Sequence, residues 1–159
     1  MDYLREIKEF HSREIELYTG KAVGCSENEI KEIELKIGYD LPEAYRQYLQ
    51  WMGKDYKGVF VGCDWFITDI TDNNELLAEL LIKNQVDYKL AKHYLAFFSH
   101  QGYMVAWFDL PKESENPTVY FFTESRESLA VKTEEKFTDF LFNDMQGMAS
   151  FLSQTRSEK

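Results

Sequence analysis

A chain of 159 residues is the size of one ordinary domain, and folding at that size hides roughly 70% of the unfolded surface without help from disulfides or metals. Apolar residues make up 44% and aromatic residues 16%, which excludes intrinsic disorder. The 28 acidic residues outnumber the 18 basic ones to give a net charge of −10; this disfavours nucleic-acid backbones and anionic membrane surfaces and attracts a basic partner at long range.

In chain order, Leu4, Ile7, His11, Ile15 and Tyr18 recur at three- and four-residue steps and predict a helix over 2–19, stopped by Gly20. Ser26 and Glu29 have the spacing of a capping box ahead of a second helix over 27–37. Ile30, Ile33 and Ile37 share its face, and Gly38 closes it. Pro42 suits the first position of a third helix, where the missing N–H costs nothing, and Gly53 ends that helix. Tyr45, Tyr48, Leu49 and Met52 form its apolar face.

Residues 58–70 change character. Val59-Phe60-Val61 and Trp65-Phe66-Ile67 are β-rich and flank Gly62-Cys63-Asp64, which predicts a hairpin or one bulged strand. Asp72 and Glu75 offer a second capping box before a helix over 73–84 that buries Leu76, Leu77, Leu80 and Leu81. Tyr94–Phe98 and Tyr103–Phe108 flank Ser99-His100-Gln101-Gly102 as a hairpin. A polar loop over 111–117 leads to a strand over Thr118–Thr123, and Ser128–Val131 is a candidate short edge strand. Phe137, Phe140, Leu141, Met145, Met148 and Leu152 predict a last helix over 134–153, weakened by about 1 kcal/mol at Gly147 relative to alanine. No repeat or linker divides the chain, so the expectation is a single α+β domain.

Catalytic patterns do not emerge. Cys25 and Cys63 form no metal-ligand spacing, and two unpatterned thiols suit a reducing cytosol. His11, His93 and His100 are scattered, and neither cysteine has a histidine close in sequence. There is no G-x-S-x-G and no glycine-rich phosphate loop. Neighbouring carboxylates at Glu134-Glu135 and around Asp69 and Asp72 sit on no acid–base scaffold. No catalytic residue, metal or cofactor is expected. The N-terminal stretch is charged, and no apolar run approaches the ~20 residues of a membrane span; the expectation is a cytoplasmic protein.

One window stands out. No Lys or Arg lies between Lys57 and Lys83, whereas Asp64, Asp69, Asp72, Glu75 and Glu79 all do. Trp51, Tyr56, Trp65 and Phe66 cluster beside it. Trp51 reads as core filler. Tyr56 and Trp65, next to polar turns, read either as core filler between the third helix and the sheet or as contact aromatics, because one ring buries much area at small entropic cost. The candidate protein-binding set is therefore Tyr56, Asp64, Trp65, Asp69 and Asp72, with His100 at the hairpin tip.

The string Ile30-x-x-Ile33-Glu34-x-x-Ile37-Gly38-x-x-Leu41-Pro42-x-x-Tyr45-x-x-Tyr48-Leu49-x-x-Met52-Gly53 resembles the opening "E-x-x-ψ-G-x-x-L-P-x-x-Y/F-x-x-F-L…N-G" of the SUKH superfamily, the domain of Smi/Knr-type cell-wall regulators and bacterial immunity proteins. Tyr48 stands where that family often has Phe, and Met52 where it often has Asn. Phe137-Thr-Asp-Phe140-Leu141 resembles its closing "S-F-x-x-F-L", with Lys136 in place of Ser. The resemblance implies a mostly antiparallel, curved sheet flanked by helices. It also implies a non-catalytic binding role: bacterial members are largely immunity proteins that neutralise polymorphic toxins, often nucleases, and fungal relatives are interaction hubs. The alternative it leaves open is a regulatory or scaffold module that binds an endogenous protein or peptide, for which an open edge near Leu129–Val131 could accept a strand.

Overall fold

The computed structural model describes residues 1–111, 114–124 and 131–157. Its order is α1 (Arg5–Glu14), α2 (Glu16–Thr19), α3 (Glu27–Ile37), α4 (Glu43–Met52), a 3₁₀ turn (Ile67–Asp69), α5 (Ile70–Lys83), β1 (His93–His100), β2 (Met104–Leu110), β3 (Thr118–Thr123), β4 (Lys132–Lys136) and α6 (Phe137–Ser157). The four strands form one antiparallel sheet in the order β1-β2-β3-β4. The α+β class and the antiparallel sheet flanked by helices agree with the sequence reading.

The sheet separates two apolar layers. On one face Leu95, Phe97, Ala106, Phe108 and Val119 meet α4 and α6 through Tyr45, Tyr48, Phe137 and Leu141. On the other, Ala96, Val105, Trp107 and Phe122 meet Leu77, Leu80 and Leu81 of α5. The pairing of β1 with β2 slips between Ala96 and Phe98. That bulge breaks the two-residue alternation, so Phe97 and Phe98 both enter the larger aromatic core. There Phe97 lies 5.6 Å from Phe108, 5.1 Å from Phe137 and 5.4 Å from Trp65.

The helix boundaries follow from named contacts. Ser26 and Glu29 make the capping box reciprocally, at 3.2 and 2.8 Å. Gly38 takes φ 78°, the left-handed region that glycine enters without penalty. The loop before β3 starts two helices at once. The Glu115 carboxylate and carbonyl accept from Glu43 N and Ala44 N at 2.7 and 2.9 Å, and the Asn116 side chain accepts from Thr138 N at 3.2 Å. Pro42 thus sits just outside α4, as its N-terminal flank, rather than at the first helical position.

Several expectations change. The first predicted helix is two, because Ile15 leaves the α1 geometry. Residues 58–66 are turns, not strands: Gly58 N, Val61 N and Cys63 N donate to Asp55 O, Gly58 O and Phe60 O at 2.9, 3.3 and 3.0 Å. Their β-rich composition serves burial rather than a ladder, with Phe60 stacked on Trp65 at 4.7 Å. All that remains of a strand is one bridge between Asp64 and Ser99. Helix α5 begins at Ile70, so Asp72 lies in its first turn and caps nothing; Asp69 accepts from Phe66 N at 3.0 Å instead. The last helix starts at Phe137 because 132–136 are spent on β4. The expected edge strand at Ser128–Val131 lies outside the described residues except for Val131, which precedes β4. Among the described residues no helix is long and apolar enough to cross a membrane.

Candidate protein-contact surface

The link from α4 to α5 carries the base-free window and is pinned from behind. Asp55 is buried under the first turn, and its carboxylate occupies the place a side chain at residue 58 would need, 1.7 Å from a Cβ built on Gly58. Burial pushes the Asp55 carboxyl above the usual aspartate range, against the opposing hydrogen bond from the Val23 backbone. With the turn fixed, Tyr56 projects outward at 44% exposure and rests on the edge of Phe66, ring centres 4.9 Å apart.

Asp64, Asp69 and Asp72 form one electrostatic group. Asp69 is half-buried and its carboxyl is pushed up, first by burial and further by the charges of Asp64 and Asp72, although Phe66 N–H opposes the rise. Asp64 is exposed and anchored to β1: its backbone pairs with Ser99 at 3.0 and 3.2 Å, and its carboxylate accepts the Ser99 hydroxyl at 3.0 Å. Asn73 braces the same point by donating to Asp64 O at 3.0 Å. Asp72 is exposed on the first turn of α5. The ion pairs of the described residues join Arg5 to Glu9, Arg13 to Glu14, Arg46 to Glu27 and Glu34, Lys54 to Glu29 and Lys83 to Glu124. None of them neutralises Asp64, Asp69 or Asp72.

Trp65 does not belong on this surface. It is 0% exposed, ringed by Phe60, Phe97, Phe98 and Phe140, and its indole N–H donates to Asp144 at 3.0 Å. Its proximity to a polar turn in sequence hid the fact that the turn folds it inward. Val61, by contrast, is 61% exposed beside that turn and belongs with the exposed set. The sequence signal was the same Val-Phe-Val that suggested a strand, in which Val59 and Phe60 are directed to the core and Val61 is left outside.

His100 comes to the same region through β1. Its Nδ1 lies 3.3 Å from Cys63 Sγ, a pairing that sequence spacing did not reveal. Burial, then the charges of Asp144 and Asp64, push the Cys63 thiol up to about 11. It therefore stays protonated near neutral pH, where a nucleophile must be thiolate. Among the described residues no three His, Cys, Asp or Glu side chains are grouped to hold a metal. What the arrangement offers is an anionic, aromatic-edged face suited to cationic groups of a macromolecule.

Residues 24–143 match the SMI1 / KNR4 family (SUKH-1). That span holds the α3–α4 motif, the acidic face and the whole sheet, and leaves out α1, α2 and α6 beyond residue 143. No curated protein matches the chain.

Proposed function

The chain belongs to the SMI1 / KNR4 family (SUKH-1), and we propose that it is a non-catalytic immunity-type protein that neutralises a basic toxin, of nuclease type, in the cytoplasm. The observation that carries this reading is the face formed by Tyr56, Val61, Asp64, Asp69 and Asp72, whose three aspartates have no cationic partner among the described residues. An uncompensated acidic patch costs self-repulsion in the free protein and is relieved by a cationic partner. His100 flanks this face as a further contact.

Co-expression with the cognate toxin tests the proposal. The chain should rescue growth and co-purify with the toxin as a stable complex, and the toxin should be recovered chemically unaltered. Rescue accompanied by covalent change of the toxin would overturn the non-catalytic reading. A second reading, a regulatory module that binds a peptide by strand addition, rests on β4 as the sheet's terminal strand. The β1 edge is less open to it, since Asp64 occupies Ser99 and the Asn74 side chain accepts from Ala96 N at 2.7 Å.

A further inference from the structure

The outer side of α6 differs from the rest of the surface. The helix runs unbroken from Phe137 to Ser157 and turns Phe137, Leu141, Met145 and Ala149 into the core. On the opposite side Asn143, Gly147, Ser150, Phe151 and Gln154 recur at helical steps and are all exposed. An outward helix face normally carries charge, and 29% of this chain is charged, yet none of these five is. Residues 145–157 contain no Asp or Glu, and their one base, Arg156, lies over the Tyr18 ring at 5.4 Å.

Two residues of this face call for a reason. Phe151 is an aromatic side chain left 60% exposed. Gly147 sits mid-helix, where glycine is the poorest former after proline, and a Cβ built on it would meet nothing within 4 Å. The fold itself does not need that glycine, so the missing side chain serves an approach from outside. Gly147 and Phe151 are one turn apart, a hole and a knob on the same face.

We propose that this face pairs with a second copy of the chain, the two α6 helices crossing antiparallel about a two-fold axis so that Phe151 of each covers Gly147 of the other. A two-fold contact needs a self-complementary patch, and a hole and a knob one turn apart make one. Charge selects the same occupant. Two chains of net charge −10 repel each other, and the acid-free end of α6 is where they meet without opposing carboxylates. The flanking acids are engaged within the chain: Asp144 accepts the Trp65 indole N–H at 3.0 Å, and Glu135 accepts the Asn143 amide at 2.9 Å. Gly147 and Phe151 lie beyond the family-matched span, which ends at residue 143. The pairing goes beyond the proposed toxin binding and does not depend on it. A contact of about three helical turns is small, so the dimer is reversible.

Sedimentation velocity of the full chain, from micromolar to near-millimolar concentration, tests this. The expected result is a reversible monomer–dimer equilibrium. Phe151→Ser and Gly147→Gln should each weaken it at least about tenfold. Gly147→Gln should also raise the thermal midpoint at micromolar concentration, where the monomer prevails, because glutamine is the better helix former. Leu35→Ser, which removes an exposed leucine from α3, should leave the equilibrium unchanged. A chain that stays monomeric throughout overturns the proposal. So does a dimer that survives either α6 substitution or is weakened equally by Leu35→Ser, and so does a lower midpoint for Gly147→Gln.

Discussion

The carboxylate of Glu34 accepts the amide of Leu41 at 3.0 Å across the turn that joins α3 to α4. The same oxygen takes a hydrogen bond from Arg46 at 3.1 Å, and Arg46 also pairs with Glu27 at the start of α3. One acidic side chain thus sets the angle between two helices, which explains its place four residues before the left-handed Gly38 and seven before Leu41-Pro42. Glu34→Ala should cost about 1–3 kcal/mol, because it strands a part-buried amide and a guanidinium together. Glu34→Gln, which keeps the acceptor for Leu41, should cost less than about 1 kcal/mol. Urea midpoints read both; equal losses would contradict the role given to the amide bond.

Two glycines that both end helices should respond for different reasons. Gly38 has φ 78° and open space around it, so alanine there meets only the left-handed strain of about 1–2 kcal/mol. Gly53 has φ −62°, which any residue adopts, yet a Cβ there would lie 2.5 Å from Cys25 Sγ and 2.8 Å from Leu49 O. Gly53→Ala should therefore destabilise by overpacking, about 1–3 kcal/mol, and the Cys25→Ser/Gly53→Ala pair should be non-additive. Thermal unfolding of the two singles and the double checks this.

Trp65→Phe should lower stability by about 2 kcal/mol, since it removes aromatic volume and leaves the part-buried Asp144 carboxylate without its indole donor. Partner affinity of the folded fraction should be unchanged. An affinity loss larger than the stability loss would return Trp65 to the contact surface.

Asp55, Asp69 and Asp144 are each held above the usual aspartate range, chiefly by burial. The unfolded chain ionises them near 3.9, on the order of the free value. Between that pH and their raised folded values the folded state holds more protons, so their contribution to stability falls as pH rises through the window and is level above it. Glu29 and Glu124 act in the opposite sense, lowered chiefly by their Lys54 and Asn84 hydrogen bonds. Comparison with Asp55→Asn isolates one group: as pH drops toward about 4, the wild type should gain stability relative to the variant. Chemical denaturation across that range measures it, and a constant difference contradicts it.

Helix α3 was legible because its boundaries carry their own local chemistry, whereas the break at Ile15 and the Glu115 contact that starts α4 left no such mark. The Ser26–Glu29 box and the left-handed Gly38 are short-range devices, and α3 spans 27–37 as predicted. The hairpin and β3 were legible for the same reason. Residues 58–66 were not, because aromatic and β-branched residues look alike whether they line a strand or plug a core from a turn, and only Phe97 and Phe140 across the chain decide which. That one ambiguity misplaced Trp65 and hid Val61. The grouping of Asp64, Asp69 and Asp72 was readable from the missing lysines, whereas the approach of Cys63 to His100 depends on β1 lying against the turn, a long-range fact.

The most direct measurement is the rate of association with the purified cognate toxin as a function of salt, for the wild type, Asp72→Lys, Asp64→Lys and a control, Glu6→Lys, on exposed α1. If the acidic face steers docking, both aspartate reversals should slow association about tenfold at low ionic strength, and the gap should close as salt screens the charges, while the control tracks the wild type. Equal rates for all four proteins would show that this face does not meet the partner.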